Sequence, residues 1–198
     1  MIIAKDWVWL HFPKCAGTKT EHLLMENFSG LDDIHFDPIN QKNVIWHHGI
    51  QERETYDPDF SLGDRKVICA IRRLPDWLLS RVHFEAARPP HRIPTREMFA
   101  AGRFYEITGF NNSADAVVKK FSRPRVDHWL RAEHLAKDLQ AFFGPDFRVD
   151  DRKLNSNRFS YIRDWNFWFT PDELKRLYAE NPVWAAIEEK LYGSLPIS

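Results

Sequence analysis

Cysteine and net charge are both scarce in this 198-residue chain, and each scarcity excludes something. The two cysteines, Cys15 and Cys69, lie far apart and match neither a zinc-ligand spacing nor a redox pair, so the chain is no disulfide scaffold and suits a reducing compartment. Lys+Arg and Asp+Glu both total 28. Coating nucleic acid or an anionic membrane draws on a broad excess of positive charge, so neither partner is expected and any anion site must be local. No apolar run approaches the roughly 18 residues of a spanning helix. The opening MIIAKDWVWLHF is broken by Lys5 and Asp6 and lacks the layout of a secretory signal, so the expected location is the cytoplasm. Repeats, low-complexity tracts and Gly/Ser linkers are missing too, and residues 1–198 read as one domain. A chain this long buries about 70% of the surface its unfolded form exposes and needs no staple or structural metal to fold.

What the chain does have is aromatic weight: Trp 8, Phe 15 and, beside them, His 9. Trp7 to Phe12, Val44 to His48 and Lys66 to Arg72 are short apolar runs rich in β-branched or aromatic residues, which read as buried strands of a parallel sheet. Helical spacing follows at Thr20 to Phe28, at Asp76 to Phe84 and, ending at Gly144-Pro145, at Glu133 to Phe143. Thr170-Pro171-Asp172-Glu173 has a cap residue, a first-turn proline and an acid three residues after the cap, a strong helix start; Asn181-Pro182 opens another helix running to Gly193. Strand followed by helix, repeated, predicts an α/β fold with a central parallel sheet flanked by helices.

The stretch richest in chemistry is HFPKCAGTKTEHLL at 11–24, where a strand runs into Pro13, Lys14, Gly17 and Thr18 before a helix. A loop at a helix N-terminus offers backbone N–H groups and the positive end of the dipole to a phosphate or sulfate. Gly17 permits close approach, Thr18 and Thr20 supply hydroxyls and Lys14 a mobile charge. The motif is not G-x-x-x-x-G-K-[ST], because the upstream glycine is missing and an extra Thr separates Gly17 from Lys19. A strand-to-helix turn whose Thr and Lys only cap and solubilise the helix has the same composition.

A second strand and helix occupy VICAIRRLPDWLLSRVHF at 67–84, with Arg72 at the strand end and Ser80 eight residues on. In open α/β sheets ligands lie beyond the carboxyl ends of strands, which brings Arg72 toward the crevice of the Lys14 loop. P-K-x-x-G-T after one strand and R-(x)7-S after another resemble the sulfotransferases that use 3′-phosphoadenosine 5′-phosphosulfate (PAPS). The resemblance runs from about residue 7 to 193 at low similarity between the motifs. It is nearest to the branch that sulfates carbohydrate hydroxyls, whose first motif often reads PKTAGTS. WLRAEHLAKDLQAFFG at 129–144 and LNSNRFSYIRDW at 154–165 resemble later segments of that branch, and the helices ending in Tyr192-Gly193 resemble its C-terminus.

The resemblance implies a P-loop-like three-layer sandwich and a sulfuryl transfer from PAPS, leaving 3′,5′-diphosphoadenosine (PAP), with no metal. It implies that Lys14, Cys15, Ala16, Gly17, Thr18, Lys19 and Thr20 hold the donor's 5′ end, and Arg72 and Ser80 its 3′-phosphate. A hydroxyl acceptor, a saccharide by the branch, is the expected partner. Departures are Lys19 in place of the usual Ser, which leaves Thr20 to replace that hydroxyl, and Arg72-Arg73-Leu74 in place of Arg-Asp-Pro. Arg73 is expected to face solvent. His48 of WHHGIQE falls where the family carries its catalytic base, with His47 the alternative, and an imidazole titrating near neutrality suits that task.

Other readings remain open on these residues. The anion loop alone also fits an ATP-dependent kinase, and the fold also fits a non-catalytic nucleotide- or saccharide-binding protein. His35, His47, His48 and His83 have no ligand spacing that supports a metal, since adjacent strand residues point to opposite faces. Arg81, Arg88, Arg92, Arg96 and Arg103 form a basic stretch that reads as a solvated loop or an acceptor-facing flap. Trp46 and Trp168 are candidate sugar platforms, although most of the tryptophans belong in a core.

Overall fold

The computed structural model describes residues 1–38, 45–107, 113–150 and 160–197. The chain divides into two compact units, one from Met1–Ile71 with Lys120–Asn155, the other from Arg72–Lys119 with Ser156–Ser198.

The first unit is a mixed α/β body. It holds β1 (Ile2–Ile3), β2 (Trp7–Leu10), α1 (Gly17–Phe28), β3 (His35–Phe36), α2 (Ile50–Tyr56) and β4 (Lys66–Ile71). The later chain returns to add β5 (His128–Arg131) and, after a 3-10 turn at Ala132–His134, a helix at Leu135–Phe143. The strands form one five-stranded sheet in the order β3-β1-β2-β4-β5. β2, β4 and β5 run parallel, with Trp7 opposite Lys66 and Ile71 opposite Arg131. β1 is antiparallel to both its neighbours, so the sheet is mostly rather than wholly parallel. Lys5 and Asp6, which interrupt the opening apolar run, make the hairpin between β1 and β2, closed by Ala4 N–H donating to the Trp7 carbonyl at 2.9 Å.

β2 and β4 carry the sheet because their side chains are dry on both faces. Val8, Trp9 and Leu10 are essentially unexposed, as are Val67 to Ile71, the signature of a strand covered above and below. β2 stops two residues earlier than its apolar run, where Phe12 N–H turns back to the Leu10 carbonyl at 3.0 Å just ahead of Pro13. Aromatic packing answers part of the compositional question: Trp7, Phe28, Phe143 and Phe147 form a cluster with ring centroids 5.0–6.0 Å apart, joining β2, α1 and the helix after β5.

The strand expected at Val44 to His48 is not one. Val44 lies outside the described residues, and Ile45–His47 is a 3-10 turn closed by His48 N–H on the Ile45 carbonyl at 2.9 Å. The Trp46 and His47 rings stack at 3.9 Å. Neighbours on a strand point to opposite faces, so that stacking requires a turn.

The second unit is helical. It contains α3 (Leu74–Ala86), α4 (Arg96–Ala100), α5 (Phe104–Ile107) and all but the end of α6 (Ala114–Phe121). With the Leu135–Phe143 helix as α7, the rest are α8 (Trp165–Trp168), α9 (Pro171–Glu180) and α10 (Pro182–Tyr192). Thr170 accepts from Glu173 N–H while the Glu173 carboxylate accepts from Thr170 N–H at 2.7 Å, the reciprocal cap its sequence predicts. Asp115 caps α10 by accepting from Val183 and Trp184 N–H, and left-handed Gly193 ends it. Trp77 of α3 packs on Trp184 of α10 at 4.8 Å.

Arg73 does not face solvent. Its guanidinium donates to Glu188 at 3.1 Å and to the Ser194 carbonyl at 2.7 Å, and lies 4.2 Å over the Tyr192 ring. Glu188 is fully buried and also accepts from Leu74 N–H and Tyr178 O–H, so the cation completes a satisfied network that an acidic side chain inside a helical core demands.

Candidate functional site

The loop between β2 and α1 has an unusual backbone. Lys14 and Ala16 both have positive φ, 67° and 61°, although neither is glycine. A left-handed conformation costs an L-residue about 1–2 kcal/mol, so two within three positions store strain the surroundings must hold. Thr20 supplies part of that hold: fully buried, its hydroxyl donates to the Ala16 carbonyl at 3.1 Å alongside its own backbone N–H at 3.0 Å. Alternating backbone hands at the head of a helix turn consecutive N–H groups toward one concavity, a common anion cradle. Ala16, at the N-cap of α1, makes no side-chain cap bond, and the first turn of the helix contains no acid of its own. Lys14 and Lys19 are half-buried, Thr18 is exposed and Cys15 is fully buried.

Gly17 has a sharper reason to be glycine than an approaching anion. A Cβ there would lie 2.0 Å from Nε2 of His11. The His11 ring, 6% exposed, packs against the α1 backbone between Trp9 at 5.1 Å, Trp46 at 4.7 Å and His47 at 4.7 Å. Burial, and then the proximity of His47, hold it well below the usual histidine range, so it is a neutral ring at physiological pH. Sequence reasoning missed His11 because it looks like the tail of a strand; nothing in its spacing to Gly17 marks the contact.

A ring that stays neutral when folded titrates near pH 6.5 when unfolded, so folding releases a proton in acid. The stabilisation is intact above about pH 6.5 and is lost as pH falls below it. Urea melts at pH 7.5 and 5.5 are expected to differ by about 1.4 kcal/mol from His11 alone. His48 and His83, also held below their usual range chiefly by burial, add to the loss in the same direction. Equal stability at the two pH values would contradict a neutral His11.

His47 and His48 follow the 3-10 turn and differ in chemistry. The His47 Nδ1 lies 2.8 Å from the His11 carbonyl oxygen. A carbonyl only accepts, so Nδ1 carries a proton, and in the neutral ring the lone pair is then on Nε2. His48 has its Nδ1 buried with no hydrogen-bond partner among the described residues, and its ring edges onto Tyr56 at 5.4 Å. Burial lowers its pKa; Glu52 pushes the other way, and Lys120 and Arg53 reinforce the decrease. α2 is anchored beside it by Glu52, which accepts from Gly49 N–H at 3.0 Å and pairs with Lys120 at 2.7 Å, and by Arg53, which pairs with the buried Asp37.

Arg72 and Ser80 belong to the second unit. Arg72 follows β4 directly and its carbonyl accepts from the Trp184 indole at 3.2 Å. Ser80 lies on the buried face of α3, 5% exposed, among Trp77, Leu78 and Leu79. In the basic stretch, Arg81 pairs with Glu85 at 3.2 Å, whereas Arg92, Arg96 and Arg103 are exposed. Trp168 is core, packed on Phe99 at 4.9 Å with its indole N–H on the Ile162 carbonyl, so it offers no sugar platform. Of the 154–165 segment, residues 154–159 lie outside the described residues.

Comparison with protein-family models, with curated proteins and with solved structures finds no match in any of the three. Among the described residues no helix is long and apolar enough to cross a membrane.

Proposed function

We propose that this protein transfers a sulfuryl group from PAPS to a hydroxyl, on a carbohydrate acceptor, in the cytoplasm, and that its sheet is the core of a P-loop-like sandwich. The observation that carries the reading is the Lys14–Thr20 loop: two left-handed non-glycine residues leading into a helix with no acid in its first turn, directly after a central parallel strand. That strain is easiest to rationalise as preorganisation for an anion. Lys14, Lys19 and the backbone of residues 16–18 bind the 5′-phosphosulfate, with Thr20 and His11 holding the loop's shape. Arg72 and Ser80 bind the 3′-phosphate.

In the transfer, the acceptor oxygen forms a bond to sulfur as the bond from sulfur to the 5′-phosphate oxygen breaks. The acceptor proton goes to a histidine, and PAP leaves with the bonding electrons, its charge balanced by Lys14. The tautomer geometry favours His47 over His48 as that histidine. A base needs a lone pair on a nitrogen whose opposite N–H is held, which the His11 carbonyl provides for His47. No metal takes part.

The donor is tested by thermal shift. PAP at 100 times its dissociation constant is expected to stabilise the chain by about 2.7 kcal/mol, and ATP at the same concentration by much less. Stabilisation by ATP alone would replace the reading with a kinase. Stabilisation by PAP without sulfuryl transfer to any acceptor would leave a nucleotide-binding protein.

A further inference from the structure

α1 presents a second group of chemically active side chains one turn beyond its N-terminal loop. His22 and Glu26 are four residues apart on the helix, with Nε2 and Oε1 separated by 3.0 Å. This is the spacing by which a helix offers two ligands to one ion. The next residue, Asn27, fastens another segment beside them. Its Nδ2 donates to the Arg148 carbonyl at 2.9 Å and to the Leu23 carbonyl at 2.8 Å, and its Oδ1 accepts from Arg148 N–H at 2.7 Å. A carboxamide paired both ways with one residue's backbone fixes that residue in position and direction. Asp150, two residues further on, is thereby delivered to the pair, and the ligand atoms of His22, Glu26 and Asp150 all lie within 4.8 Å of one another.

Ligands around one ion at about 2.0–2.2 Å are themselves about 3–3.5 Å apart, so small side-chain rotations convert this arrangement into a coordination sphere. One imidazole nitrogen and two carboxylates carry a charge of −2 that a divalent ion neutralises. The mixed N,O,O set without thiolate suits a first-row transition ion rather than the all-oxygen cage of calcium or magnesium. We propose that His22, Glu26 and Asp150 bind a divalent first-row transition ion, Zn²⁺ among them, with water completing its coordination. The ion clamps the segment at 148–150 onto α1 in series with the Asn27 bracket. It shares no ligand with the histidines considered for catalysis.

Calorimetric titration of the intact chain with ZnCl₂ at pH 7.5 is expected to give one ion per chain. His22→Ala, Glu26→Gln and Asp150→Asn should each weaken binding by about tenfold or more, and Asn27→Ala, which removes no ligand, should weaken it by roughly tenfold as well. His91→Ala, at an exposed histidine elsewhere, should change nothing. Cobalt(II) supplies a second readout, its visible absorption band being lost in the His22 variant while circular dichroism stays that of the parent. Absence of zinc binding up to millimolar concentration, or binding unaltered in all three ligand variants, would overturn the site.

Discussion

His47→Asn is expected to lower sulfuryl transfer by roughly 100-fold to 10,000-fold, the usual contribution of a positioned general base, with little change in stability. Asparagine is chosen because its amide N–H can occupy the place of Nδ1 and keep the bond to the His11 carbonyl, while the titratable Nε2 disappears. The measurement is PAP formed from PAPS with a panel of unsulfated oligosaccharides as acceptors, read beside a urea melt of the same variant. His48→Asn is the paired control and should lose less than about tenfold, since the His48 Nδ1 is buried and bonded to nothing among the described residues. Large loss in the His48 variant with retention in the His47 variant would return the base to the position the family pattern indicates.

Gly17→Ala should be among the most damaging single-methyl changes in the molecule. The new carbon falls 2.0 Å from the His11 Nε2, and the ring is hemmed in by Trp9, Trp46 and His47. Overpacking a filled site costs about 1–3 kcal/mol, and a contact this short against an enclosed ring belongs at the upper end. PAP binding should fall with it, because α1 must shift and carry the Lys14 loop away from its left-handed conformation. The double variant His11→Ala/Gly17→Ala separates steric from chemical causes. It should be no less stable than His11→Ala alone, a non-additivity that marks direct contact. If Gly17→Ala keeps the parent's urea midpoint, the clash is not real.

The parts of the fold legible in the sequence are those whose cause is local. β2 and β4 announce themselves as continuous apolar runs because both faces are buried, and the cap of α9 is written into four consecutive residues, whereas α10 is capped from Asp115, far away in the chain. β1 and β3 are two residues each, too short to carry a period, and exist through their pairing with each other and with β2. β5 was hidden inside a segment that reads as the approach to a helix. The turn at Ile45–His47 has the composition of a strand and is settled by stacking of neighbouring rings, which composition does not encode.

The same distinction divides the site. The Lys14 loop could be located from residue order alone, but the partner that dictates Gly17 is His11, just past the end of the preceding strand. Arg73 looked like a surplus surface charge because its partner, Glu188, is 115 residues away. Thr20, expected to offer its hydroxyl to a ligand, spends it on the Ala16 carbonyl. Each is a tertiary relation, and no window of sequence contains it.

The order in which the sheet is completed bears on how the chain emerges during synthesis. β4 ends at residue 71, yet the strand that pairs with its outer edge starts at residue 128, after about half of the helical unit. Until the ribosome has released that far segment, a nascent chain carries Val67–Ile71, five wholly apolar residues, with one row of backbone amides and carbonyls unsatisfied. Such an edge is a template for intermolecular pairing. Chains truncated between residues 72 and 127 should therefore expose that edge and pair through it, whereas in those extending past Arg131 β5 covers it.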